Sequence, residues 1–219
     1  MRMKNRPAAA FFLCFLGMIS IGMIVSDAAA DQEPSVPVLE PIPLADFSRY
    51  PEGWEARGGM AKADGIYETA REGGASYLRA RESSESVRLF KKITWDSAAY
   101  PIVEWRWRVT KWPETAAARV AIYIALDRDV FGIPTLTKYY WSRNEAAGEL
   151  KEGGMFRPAE RVIRSGRMDS SDWIVERVDA RADFQKISGR DPRGEAYGIG
   201  LLVDPGIEAE IGEIIALPR

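Results

Sequence analysis

The chain has 219 residues, with 30 Lys and Arg against 32 Asp and Glu for a net charge of −2, one cysteine and no histidine. Without histidine, a Ser-His-Asp triad, a histidine general base and a histidine-ligated zinc site are all excluded. Cys14 has no second cysteine to pair with, and a mildly acidic chain has no general attraction for nucleic acid or for an anionic membrane surface.

Arg2, Lys4 and Arg6 precede a run from Ala8 to Val25 that contains no charged residue, and Ala28, Ala29 and Ala30 stand just before Asp31. This order of basic, apolar and small residues predicts a signal peptide over 1–30, cleaved after Ala30, and a periplasmic or secreted product. The rival reading is a retained anchor, because roughly 17–25 apolar residues can also span a bilayer. Membrane contact is expected only through that segment. Cys14 follows Phe11, Phe12 and Leu13 rather than small residues, which argues against lipidation. Cleavage would leave 27 basic and 31 acidic residues, a net charge of −4, and no thiol for catalysis.

Residues 31–46 carry four prolines and no period of two or 3.6, which predicts an extended spacer. From 47 to 219 short alternating runs are separated by glycine, proline and acidic clusters, as in a single all-β, mostly antiparallel domain. Strands are predicted over 64–69, 76–81, 86–93, 101–111, 117–126, 136–142, 160–165, 172–178, 195–203 and 209–216. A short helix is predicted over 180–187, with Phe184 and Ile187 on its apolar side and Gly189 as its stop.

The run PIVEWRWRVTK is the most informative. Val103, Trp105, Trp107 and Val109 share one face, while Glu104, Arg106, Arg108 and Thr110 share the other. In the following run Val120, Ile122, Ile124 and Leu126 form an apolar row, opposite Arg119, Ala121, Tyr123 and Ala125. If the two strands are neighbours, they present Glu104, Arg106, Arg108, Arg119 and Tyr123 on one face. Such a face could take carboxylates, phosphates or sugar hydroxyls through arginine's planar fork, or it could be a solvated ladder of ion pairs. Trp105 and Trp107 are expected in the core, and Trp173 is expected to be packed at the start of a strand. Trp112, in a proline-bearing loop, is the preferred exposed aromatic. Trp54, Trp95 and Trp141 are left open.

With these pieces in hand, the chain resembles the exported bacterial domain-of-unknown-function family numbered 3047. The resemblance is carried by EWRWRV (104–109), AARVAIYI (117–124), KYYWS (138–142), Trp173 with ERVDARADF (176–184), GIGLLVD (198–204) and IGEI (211–214), in order. It implies a jelly-roll-like β-sandwich and an envelope location, and it brings no established activity. The family pattern has longer acidic loops where this chain has WPETAAAR and Asp204-Pro-Gly-Ile, so any cation role of those acids does not carry over.

Among chemistries still open, a glycosidase needs only two carboxylates about 5–9 Å apart, and Glu104 with Glu176 is the weak candidate pair. Asp127, Asp129 and Asp204 are oxygen ligands near strand ends, but their spacing lacks the remaining acids of a calcium loop. No metal site and no cofactor is expected. Gly58-Gly59, Gly73-Gly74 and Gly153-Gly154 read as turns rather than phosphate loops. Arg177, Asp179, Arg181 and Asp183 read as charge pairs on the helix or as a partner-docking surface. The leading expectation is a non-enzymatic module binding a carbohydrate or anionic glycan. The alternatives are a carboxylate-dependent glycoside hydrolase or lyase, and a structural protein that docks an envelope partner.

Overall fold

Alternation along a strand buries one face and leaves the other to be covered or solvated, and this chain resolves it by pairing two sheets face to face. The computed structural model describes residues 39–114, 118–148, 150–154, 157–167 and 171–219, which belong to one compact unit. The predicted signal segment 1–30 and the spacer up to residue 38 lie outside the described residues.

The first sheet runs in the order β11 (Ile174–Asp179), β6 (Ile102–Lys111), β13 (Glu208–Leu217), β4 (Ala75–Ala80), β3 (Tyr67–Glu72), with β1 (Ile42–Ala45) also paired to β13. The second runs β2 (Trp54–Ala56), β5 (Leu89–Trp95), β12 (Ala196–Val203), β7 (Arg119–Arg128), β8 (Pro134–Ser142), β10 (Ala159–Ser165), β9 (Leu150–Lys151). All pairings of these strands are antiparallel except β8 with β10. The fold is therefore a mostly antiparallel β-sandwich with two α-helices.

Helix α2 (Ala180–Ser188) forms where the sequence predicts it. Asp179 caps its start by accepting from the Ala182 N–H, and Gly189 ends it in the left-handed region at φ 65°. A second helix, α1 (Met60–Asp64), precedes β3 and displaces the predicted strand 64–69 towards Tyr67–Glu72. The spacer reading fails for Ile42–Ala45, which pairs with β13 and buries Leu44 and Ala45. Its one proline, Pro43, is tolerated because β1 pairs on one side only, with β13, rather than in the middle of the sheet. The short strands β2 and β9 are not predicted.

The core between the sheets is aromatic. Trp105 and Trp107 meet edge to face at 5.5 Å, and across the interlayer Trp105 faces Tyr139 at 6.2 Å and Trp107 faces Trp141 at 6.0 Å. Trp54, Trp95 and Trp141 are buried with them. Trp112, expected in solvent, is also buried and lies edge-on to Trp141 at 5.4 Å. The turn after β6 folds over the end of the interlayer, and the indole gains more by covering the core than by reaching water.

Candidate functional site

The decisive correction concerns the two informative strands. β6 and β7 are not neighbours, because β6 pairs with β11 and β13 in one sheet and β7 with β12 and β8 in the other. Both apolar rows point into the interlayer, so Glu104, Arg106 and Arg108 face out on one side and Arg119 and Tyr123 on the other. The five residues do not form a shared patch.

On the outer face of the second sheet, Arg119 is ion-paired with Glu145 at 2.6 Å and lies 4.9 Å over the ring of Tyr140. Tyr123 is only 2 % exposed, and Arg88 lies 4.4 Å over its ring and donates to its hydroxyl at 3.2 Å. Ala121, Tyr123, Tyr140 and Val162 form a small buried cluster there. Burial pushes the Tyr123 hydroxyl and the Asp204 carboxyl above their ordinary values. These contacts hold Arg119 in an ion pair and Tyr123 in the packing of this face.

The paired-carboxylate reading also fails on geometry. Glu104 is in register with Arg177 on the outer face and accepts from it at 2.6 Å. Glu176 is in register with Trp105, so it points inward at the sandwich edge. There it accepts from the Trp107 indole at 3.3 Å and from Arg164 at 2.5 Å. The two carboxylates sit on opposite faces of one sheet and cannot flank a sugar together. The aspartates likewise have other work. Asp127 is buried against Arg190 and Arg193, Asp129 accepts from the N–H groups of Phe131 and Ile133, and no three potential ligands gather into a metal site among the described residues.

What remains is the outer face of the first sheet. Its centre is Glu210 on β13, whose nearly buried carboxylate accepts from Arg79 of β4 at 2.9 Å and from Arg108 of β6. Arg108 also pairs with Glu72 at 2.9 Å and donates to the Ser171 carbonyl at 2.9 Å. Beside it stands the half-buried Trp173, just before the start of β11 and packed as the sequence predicts, but on the outer face. Arg106 lies 4.7 Å and Arg108 4.5 Å over its ring, Tyr77 meets it edge-on at 5.4 Å, and its indole N–H donates to Glu72 at 2.9 Å. That hydrogen bond, followed by Arg108, holds the Glu72 carboxyl below its ordinary value. A sequence signal for Trp173 exists: Ile174 packs on the core, so its neighbour must face out.

Arg106 differs from Arg79, Arg108 and Arg177 on this face, which are ion-paired. Two residues of β13, Gly212 and Glu213, stand opposite it, because the register passes from Ile211 with Trp107 directly to Ile214 with Trp105. This is a β-bulge, a device that re-aims side chains. A Cβ on Gly212 would fall 2.5 Å from Cγ and 2.6 Å from Nε of Arg106, so the guanidinium lies across bare backbone. Its Nε is buried without a hydrogen-bond partner, and among the described residues neither Arg106 nor Glu213 forms an ion pair.

Three cavities open along this face. One of about 300 Å³ is lined by Asp46, Ser48, Arg71, Ser76, Arg106 and Glu213. A second of about 140 Å³ is lined by Glu104, Arg106, Val175, Glu213 and Ile215. A third of about 520 Å³ lies further along, among Glu68, Arg79, Arg81, Glu82, Thr110, Glu208 and Glu210. Arg106 and Glu213 thus form the divide between the first two, one offering donors only and the other acceptors only.

Comparison with known proteins agrees with this architecture. Residues 52–205 match the model of the family described as protein of unknown function (DUF3047), which is most of the chain. Among solved structures, a family 30 carbohydrate-binding module of a cellulosomal cellulase from Clostridium thermocellum matches at 10% identity and TM-score 0.51, over 83% of this chain and 99% of that one. A further family 30 carbohydrate-binding module matches at 13% identity and TM-score 0.48, over 83% and 100% of the two chains. A family 11 module from Clostridium thermocellum, in complex with a β-1,3-1,4-mixed-linked tetrasaccharide, matches at 8% identity and TM-score 0.45, over 84% and 98%. These likenesses concern the fold. No curated protein matches the chain.

Proposed function

We propose that this chain, which belongs to the DUF3047 family, is an exported, non-enzymatic module that binds carbohydrate across the outer face of its first sheet. Export rests on the residue order of the first thirty positions, which favours cleavage near Ala30 and delivery to the periplasm or beyond. The observation that carries the binding reading is the unpaired Arg106 and Glu213 between two cavities, next to Trp173. The Nε of Arg106 is covered, but the side chain lines both cavities, where a sugar hydroxyl would accept from its terminal N–H groups. The half-buried Trp173, backed by the buried Tyr77, supplies apolar ring surface next to these polar groups, the mixture that sugars require. The family 30 architecture is compatible with this use of the sandwich.

The test is polysaccharide retention in affinity electrophoresis, measured beside the melting temperature. Arg106→Ala is expected to weaken retention at least tenfold, the equivalent of losing one charge-assisted hydrogen bond, while the melting temperature stays within a few degrees. Gly212→Ala is a second route to the same result, since its methyl group would push the guanidinium off the bulge. Unchanged retention in both variants would move the ligand elsewhere. A large fall in melting temperature without a ligand phenotype would make the face a structural ion-pair network.

A further inference from the structure

We infer that the sugar taken at the Arg106–Glu213 divide is uncharged, so that the ligand is a neutral polysaccharide rather than an anionic glycan. This inference rests on the carbohydrate-binding reading above and specifies its ligand class. The sequence left both carbohydrate and anionic glycan open, because Arg106, Arg108 and Arg119 on one face could take carboxylates, phosphates or sugar hydroxyls. The structure takes that shared arginine face apart. Arg108 is neutralised by Glu210 and Glu72, and Arg119 belongs to the other side of the molecule with Glu145.

Among the described residues, the three cavities of this face are lined by seven carboxylates, at 46, 68, 82, 104, 208, 210 and 213, against four guanidinium groups, at 71, 79, 81 and 106. Three cations outside the lining pair with these carboxylates, Arg108 with Glu210, Lys111 with Glu82 and Arg177 with Glu104, so the face is balanced and lacks the surplus of cations that binding a polyanion needs. The divide itself discriminates in both directions. A uronate brought to Arg106 would also be brought to Glu213, which lines both cavities beside it and has no cation of its own. An ammonium brought to Glu213 would meet Arg106. An uncharged sugar satisfies both groups, since one hydroxyl can accept from the guanidinium while its neighbour donates to the carboxylate. An unpaired charge on a partly buried surface costs far more than an unpaired hydroxyl.

The experiment holds linkage constant and changes only charge. A panel of neutral glucans, mannans and xylans is run against the full chain, with the same glucans and mannans oxidised at C6 to uronates, and with chitosan as the cationic arm. The neutral parents are expected to bind at least tenfold more tightly than their oxidised forms and than chitosan. In Glu213→Gln the gap between parent and oxidised polymer should narrow, because the repelling carboxylate is gone while the fold is untouched at an exposed position. Tighter binding of an oxidised polymer, falling as salt is raised, would overturn the neutral-ligand inference and leave the binding site standing. Preference for chitosan would overturn it from the other side. Binding of no polymer in the panel would remove the carbohydrate reading itself.

Discussion

Trp107→Ala is expected to lower the unfolding free energy by about 3–5 kcal/mol, the range for deleting a large aromatic side chain from a packed core. Trp107 is fully buried on β6, edge-on to Trp105 and 6.0 Å from Trp141 of the opposite sheet. Its removal would open a cavity at the place where the two sheets touch, and neither sheet can collapse into it without disturbing its own ladder. It would also take away the indole N–H that Glu176 accepts, leaving that inward carboxylate to Arg164. Urea unfolding would report the loss as a lower midpoint with an unchanged slope. A change below about 1 kcal/mol, within the range of surface substitutions, would mean that Trp107 does not join the layers.

Glu210→Ala is expected to cost about 3 kcal/mol, which is at the lower end for breaking a buried ion pair. The carboxylate is almost inaccessible and takes hydrogen bonds from both Arg79 and Arg108. Arg79 is more exposed and would recover water, whereas Arg108 is 13% exposed and would keep its contacts to Glu72, Ser171 and the rings of Trp173 and Tyr77. Glu210→Gln is expected to lose less, since one acceptor oxygen remains for one of the two arginines. Thermal denaturation of the two variants beside the parent checks the order, and equal stability of all three would contradict a shared buried acceptor.

Much of the fold was legible because a period of two reports burial directly. The inner row of Val103, Trp105, Trp107 and Val109 and the inner row of Val120, Ile122, Ile124 and Leu126 are both read correctly, as is α2 with its Gly189 stop. The same period says nothing about which strands pair. Arg106 and Arg119 each face outward, but two outward faces of a sandwich point in opposite directions, and only long-range pairing decides whether they meet. Local chemistry misled in two places. Proline density made Ile42–Ala45 look unpaired, although β13 accepts it at one end, and the loop position of Trp112 suggested exposure, although that loop covers the core. The site itself had a readable sign. Gly212 interrupts a strand pattern, and a glycine there marks a bulge or a close approach; its partner in that approach, Arg106, became visible only with the register.

The most direct test of the binding face is a backbone and indole NMR titration of the labelled chain with a soluble neutral polysaccharide fragment. The account predicts perturbations at Arg106, Gly212, Glu213 and the Trp173 indole, spreading to Tyr77 and Arg177, while Arg119, Tyr123 and Tyr140 on the opposite face stay unchanged. Perturbations centred on Arg119 and Tyr140, with Trp173 unmoved, would contradict it.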